Sequence, residues 1–133
     1  MTAIIQIQDL VQNYGGKAPV LDHIRLDIGR GEFVALVGQN GAGKSTLVKH
    51  FNGLLRPDSG RVLVCGRDTQ RVTTACLAQQ VGYVFQNPDH QIFLERVDKE
   101  VAFGPGNLGL NAAEVECRTV KALEQTGLTR FRE

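Results

Sequence analysis

Gly38-Gln39-Asn40-Gly41-Ala42-Gly43-Lys44-Ser45-Thr46 decides how the rest of this 133-residue chain is read. It matches the phosphate-binding pattern G-x-x-x-x-G-K-[ST]. Phosphate oxygens carry concentrated negative charge and need many donors at close range. Gly38, Gly41, Ala42 and Gly43 leave the backbone bare, so N–H groups from about Gly41 to Thr46 can turn inward as a nest at a helix N-terminus. Lys44 is placed to reach the β- and γ-phosphates as a point charge, Ser45 to ligate Mg²⁺, and Thr46 to bond the α-phosphate.

The flanks suit this reading. Glu32 to Val37 is a short apolar run, β-branched at Val34 and Val37, and is expected to form a buried parallel strand. Lys44 to Asn52 carries Leu47, Val48 and Phe51 at helical offsets, with Gly53 as the stop. Upstream, Ile4 to Leu10 and Val20 to Ile28 have strand character. Ile24, Leu26 and Ile28 alternate with His23, Arg25 and Asp27, the pattern of a half-buried strand. The chain therefore opens with antiparallel strands and changes to an α/β unit. Between those strands, Asn13 to Lys17 is a turn. Its Tyr14 is positioned to stack on a nucleobase; covering the sheet edge is the plain alternative.

Downstream, Leu54 to Gly60 is a turn, Arg61 to Cys65 a strand, and Thr73 to Gln79 a helix. Val81 to Phe85 is expected to be a second buried strand, delivering Gln86 to the crevice at its carboxyl end. A glutamine there can ligate Mg²⁺ or orient water, against the simpler reading of a surface amide. Pro88 holds the preceding residue extended. A helix is expected around Val97 to Phe103, broken by Gly104-Pro105-Gly106. Ile92, Phe93 and Leu94 read either as core or as a docking patch. Asn111 is an N-cap with Glu114 as its capping-box partner. That helix runs to about Thr126 and stops at Gly127, with Val115, Ala122 and Leu123 on one side.

Composition narrows the class. Hydrophobic content of 42% and charged content of 22% are those of soluble globular proteins, and one domain is expected. A net charge of +1 argues against a dedicated nucleic-acid surface. The longest apolar run, Phe33 to Val37, is far short of the roughly 18 residues a membrane span needs. The first basic residue is Lys17, so no charged leader region is expected. Cys65, Cys76 and Cys117 are widely spaced and read as reduced cytosolic thiols. His23, His50 and His90 share no metal-ligand spacing and read as structural or exposed.

Together these residues resemble the N-terminal half of an ABC transporter ATP-binding subunit, an α/β P-loop NTPase with an N-terminal antiparallel β part. The resemblance covers nearly the whole chain. Tyr14 matches the adenine-stacking loop, Gly38 to Thr46 the Walker A loop, Gly53 to Gly60 a family turn, and Gln86 the Q-loop glutamine. Val84 to Phe93, followed by Val101 to Pro105, looks like the cobalt-type or energy-coupling-factor branch. The resemblance implies three parts: an antiparallel β part at about 1–30, a P-loop core at 31–86, and the Q-loop with the start of a helical subdomain at 87–133. It implies ATP and Mg²⁺ as cofactors, with Gly38, Gln39, Asn40, Gly41, Ala42, Gly43, Lys44, Ser45 and Thr46 holding the nucleotide. Lys44 and Gln86 are carried over as catalytic-site groups, and Ser45 and Gln86 as Mg²⁺ ligands.

It further implies a transmembrane subunit and a second ATP-binding subunit as partners, and a place on the cytoplasmic face of the membrane. The cargo is expected to be a metal ion of the cobalt/nickel type or a vitamin.

The departures are equally specific. There is no Leu-Ser-Gly-Gly-Gln signature and no Asp-Glu dipeptide, and the only Gly-Gly is Gly15-Gly16. Gly106 stands where the branch commonly has Glu, which is expected to loosen a helix end. The chain thus reads as truncated before the signature and Walker B motifs. Residues 1–133 alone are expected to bind nucleotide weakly, hydrolyse it negligibly and expose apolar surface. A catalytically dead nucleotide-binding remnant and a soluble non-transport ABC ATPase are the competing readings. A small GTPase is disfavoured, because Asn-Lys-x-Asp does not occur.

Overall fold

The computed structural model describes residues 3–133. The chain divides into two compact units between Tyr83 and Val84.

The first unit is built on a four-stranded antiparallel sheet: β1 (Ala3–Gln12), β2 (Leu21–Gly29), β3 (Ser59–Val64) and the short β4 (Arg67–Asp68), in the order β2-β1-β3-β4. Ile7 lies opposite Leu26 on one side and Val62 on the other. One helix, α1 (Lys44–Phe51), lies between β2 and β3 in the chain. Its Leu47 and Phe51 join Ile7, Leu10, Leu21, Val62, Val64 and Leu77 in one buried core. The short α2 (Thr74–Ala78) supplies Leu77, and its Thr73 cap accepts from the Cys76 N–H. The sheet and α1 therefore follow the sequence pattern closely, with the alternation in β2 giving half-buried Ile24, Leu26 and Ile28 and exposed His23, Arg25 and Asp27.

The sheet is bent by irregularities in its register between Ile7 and Leu10 and between Leu10 and Gln12. Asp9 and His23 sit at these bends with φ of 56° and 47°, and their side chains pair at 3.1 Å. Bulges raise local twist and free one residue from the ladder. Gly60 is required beside this bend. Its φ is +80°, and a Cβ there would lie 2.2 Å from the Asp9 carbonyl oxygen.

Two expected strands do not form. Residues 32–37 and 81–85 have no strand assignment and pair with no strand among the described residues. Phe33 is 99% exposed and Val37 94%. A strand is defined by its neighbours' hydrogen bonds; apolar, β-branched residues supply only the propensity. Val81 still packs against the core, whereas Val84 is exposed.

The second unit contains a 3₁₀ turn (Pro88–His90), α3 (Val97–Asn107), α4 (Ala112–Gln125) and a final 3₁₀ turn (Thr129–Phe131). The helices α3 and α4 pack on each other. Asn111 caps α4 as expected, accepting from the Glu114 N–H at 2.9 Å. Leu123 is buried, and Thr119 is buried with its hydroxyl donating to the Val115 carbonyl. The expected break at Gly104-Pro105-Gly106 is corrected: α3 runs through all three. Pro105 sits in the last turn, where its missing N–H removes one bond and little helix follows. The Leu108 N–H then closes the end on the Gly104 and Pro105 carbonyls.

No described helix is long and apolar enough to cross a membrane.

Candidate functional site

The candidate site forms where the exposed stretch after Gly31 runs into α1. Ala42 N–H donates to the Gln39 carbonyl at 3.2 Å, tightening the loop. Gly41 and Gly43 both take left-handed backbone, with φ of 84° and 85°. Gly43 is the cap residue of α1 and is buried. A Cβ on it would stand 2.9 Å from Leu21 Cδ2 and 3.0 Å from the Val20 carbonyl oxygen. Thus β2 packs directly against the loop's last glycine. Gly38 differs: its added Cβ would meet only Ala42 at ordinary contact distance.

The helix start is chemically uncommitted. No side chain caps α1 and no acidic residue lies in its first turn. The first N–H groups of a helix need an acceptor, and the helix dipole favours an anion there. Lys44 curls back over the loop, donating from Nζ to the carbonyls of Gly38 at 2.8 Å and Gln39 at 2.7 Å. A cation is thereby held against the loop that leads into the uncapped start of α1. Ser45 is exposed at the second position of α1, and Thr46 is half-buried one residue on.

Tyr14 is brought to this loop. It is 59% exposed, and its hydroxyl lies 3.4 Å from Thr46 Oγ1. The residue therefore stays largely exposed while its phenol end meets the phosphate-loop helix.

Gln86 belongs to the second unit. It is exposed, just ahead of the Pro88–His90 turn. Its expected setting at the end of a parallel strand is corrected, since residues 81–85 form none. Asn87 has the extended backbone expected before Pro88, and its Oδ1 accepts from the Asp89 N–H. Ile92 and Phe93 are exposed and Leu94 is half-buried. The Phe93 and Phe103 rings meet edge to face, 4.8 Å between ring centres.

His50, read from sequence as structural or exposed, is structural. It is fully buried on α1, with Nδ1 2.8 Å from the Thr46 carbonyl oxygen and Nε2 2.8 Å from Gln12 Oε1. Burial pushes its pKa below the ordinary 6.5; the backbone carbonyls of α1 and the Asp58 carboxylate pull the other way and do not prevail. The available signal was its i+4 spacing from Thr46, which places both on one helix face.

Among known proteins, the ABC transporter family model matches residues 21–133. A putative ABC transporter ATP-binding protein of Methanosarcina mazei is 50% identical over 133 residues, covering 99% of this chain and 41% of its own length. An energy-coupling factor transporter ATP-binding protein, EcfA1, of Symbiobacterium thermophilum is 51% identical over 122 residues, covering 89% of this chain and 42% of its own. The solved structure of cbiO1 from Clostridium perfringens, described as part of the ABC transporter complex cbiONQ, superposes with a TM-score of 0.84 at 37% identity. That match covers all of this chain and 54% of the other. This chain thus spans about half the length of the relatives it matches, and the fold is that of the ABC ATPases. With a family model covering most of its length, the chain belongs to the ABC transporter family.

Proposed function

We propose that the intact protein is the ATP-binding and ATP-hydrolysing subunit of an energy-coupling-factor type importer. The cargo is a metal ion of the cobalt/nickel type or a vitamin. It acts on the cytoplasmic face of the membrane with a transmembrane subunit and a second ATP-binding subunit. The observation that carries this is the uncapped start of α1, with left-handed Gly43 behind it and Lys44 folded over its mouth. The likeness to the Symbiobacterium EcfA1 and to cbiO1 supports the branch.

In this reading, backbone N–H groups from Gly41 to Thr46 surround the β-phosphate, and the Gly38-Gln39-Asn40 turn and Ala42 shape the cup. Lys44 exchanges its two carbonyl partners for β- and γ-phosphate oxygens, a charge-assisted replacement that strengthens both bonds. Thr46 bonds the α-phosphate, and Tyr14 offers its ring face to adenine. The exposed Ser45 hydroxyl is a hard oxygen donor at the loop mouth and fits Mg²⁺. Bound Mg²⁺ would supply charge neutralisation to the phosphates.

ATP hydrolysis by the intact protein, assayed with and without Lys44→Ala, tests the reading. Loss of turnover by about 100-fold or more is expected, since charge stabilisation dominates phosphoryl transfer. Undiminished turnover would refute it.

A further inference from the structure

We propose that His50 is a positioning residue of the nucleotide site: through Gln12 and Asp58 it ties the turn that carries Tyr14 to the helix that carries Thr46. The proposal rests on the reading that Tyr14 stacks on the base.

The connection is continuous in the structure. His50 Nδ1 meets the Thr46 carbonyl, and its Nε2 meets Gln12 Oε1, both at 2.8 Å. Gln12, itself buried at the end of β1, donates from its amide to Asp58 Oδ2 at 3.2 Å. The same Asp58 oxygen accepts the Asn13 N–H at 2.6 Å, and the Asp58 N–H returns to the Val11 carbonyl. Asn13 then holds the turn around Tyr14: its Oδ1 accepts the Gly16 N–H at 3.0 Å, and its Nδ2 donates to the Gly16 carbonyl. The Tyr14 hydroxyl closes the circuit on Thr46 Oγ1. A ring of polar contacts thus begins and ends at one residue of the phosphate loop.

Packing does not account for a polar ring at this position. A buried imidazole and a buried amide lose hydration that an apolar side chain would not, and recover it only through well-aimed partners. What they add is direction, since buried polar networks fix geometry more sharply than apolar contacts. The geometry fixed here is the span from the aromatic face to the phosphate cup. One nucleotide must meet both ends at once, so a loosened span weakens ligands that bridge it and spares those that do not.

The test compares ATP with inorganic tripolyphosphate, which has the phosphates and no base. Binding of each, with Mg²⁺, is measured on the intact protein and on His50→Phe, a substitution that keeps bulk and removes both ring nitrogens. ATP affinity is expected to fall about ten-fold, while tripolyphosphate changes less than about two-fold. His50→Gln returns an amide able to meet Gln12 as donor or acceptor and should recover most of the loss. Adding His50→Phe to Tyr14→Ala should cost nothing further, because the stacking it serves is already gone.

Gln12→Met breaks the same circuit from β1 and gives the same readout should His50→Phe not fold. Equal losses for both ligands, or none for either, while Tyr14→Ala does lower the ATP preference, would overturn the role of His50. If Tyr14→Ala itself leaves that preference unchanged, the stacking reading falls and this proposal falls with it.

Discussion

β1 and the stretch at 32–37 make an instructive pair. Both are short, apolar and rich in β-branched residues. In β1, Leu10 is wholly buried and the backbone is paired on both sides, to β2 and to β3. In 32–37, Phe33 is almost wholly exposed and the backbone joins no ladder among the described residues. The difference is not in propensity. β1 finds partners in two segments of the same unit, one of them a short turn away in sequence. A strand expected to be parallel, with both faces covered, needs neighbours that local sequence cannot supply.

The largest test of this contrast is a pair of truncations in the 133-residue chain. Leu10→Ala should destabilise the first unit by about 2–5 kcal/mol, the usual result of opening a cavity in a packed core. Phe33→Ala should change stability by less than about 0.5 kcal/mol, because almost no area is withdrawn from water there. Denaturant unfolding of both variants would read this, and equal costs would break the contrast. Amide exchange gives a residue-level version. Amides at Ile7, Val62 and Val64 should exchange far more slowly than those at 33–37.

Glycines give the next test. Gly60→Ala places a methyl against the Asp9 backbone at a left-handed position, and a cost of about 3 kcal/mol is expected. Gly82, in the stretch at 81–85 that forms no strand, has no positive φ, and a methyl added to it would find no atom within 4 Å. Gly82→Ala should therefore be neutral within about 0.5 kcal/mol. Thermal unfolding of the two variants separates these outcomes, and a tolerant Gly60 would mean the β1 bend is not as described.

The smallest effect concerns pH. The folded-state pKa of His50 lies below its ordinary 6.5, so the unfolded chain takes up the proton more readily. Any stability linked to His50 is therefore complete above about pH 6.5 and declines as pH falls from there toward the folded pKa. His50→Phe should flatten that part of the pH–stability curve. An unchanged slope would assign it to other groups.

What could be read from sequence followed the range of the interactions involved. The turn glycines, the cap at Asn111, and the α1 stripe of Leu47 and Phe51 are set by residues within a turn or two. They were legible. The break expected at Pro105 was not met, because a proline's cost depends on how much helix follows it. The phosphate loop was legible as a motif, and Tyr14 as its companion. The His50–Gln12–Asp58 circuit was not. Its contacts span 38 and 46 residues, and the bends in β1 set their register. No local pattern announces such a pairing.

The central claim is that a bare backbone cup closed by one lysine grips a nucleoside triphosphate. Equilibrium binding of ATP to the intact protein and to Lys44→Ala tests it most directly. The account predicts that affinity falls by about 100-fold, the scale of losing a charge-assisted contact to two phosphates. Equal affinity in the two proteins would contradict it.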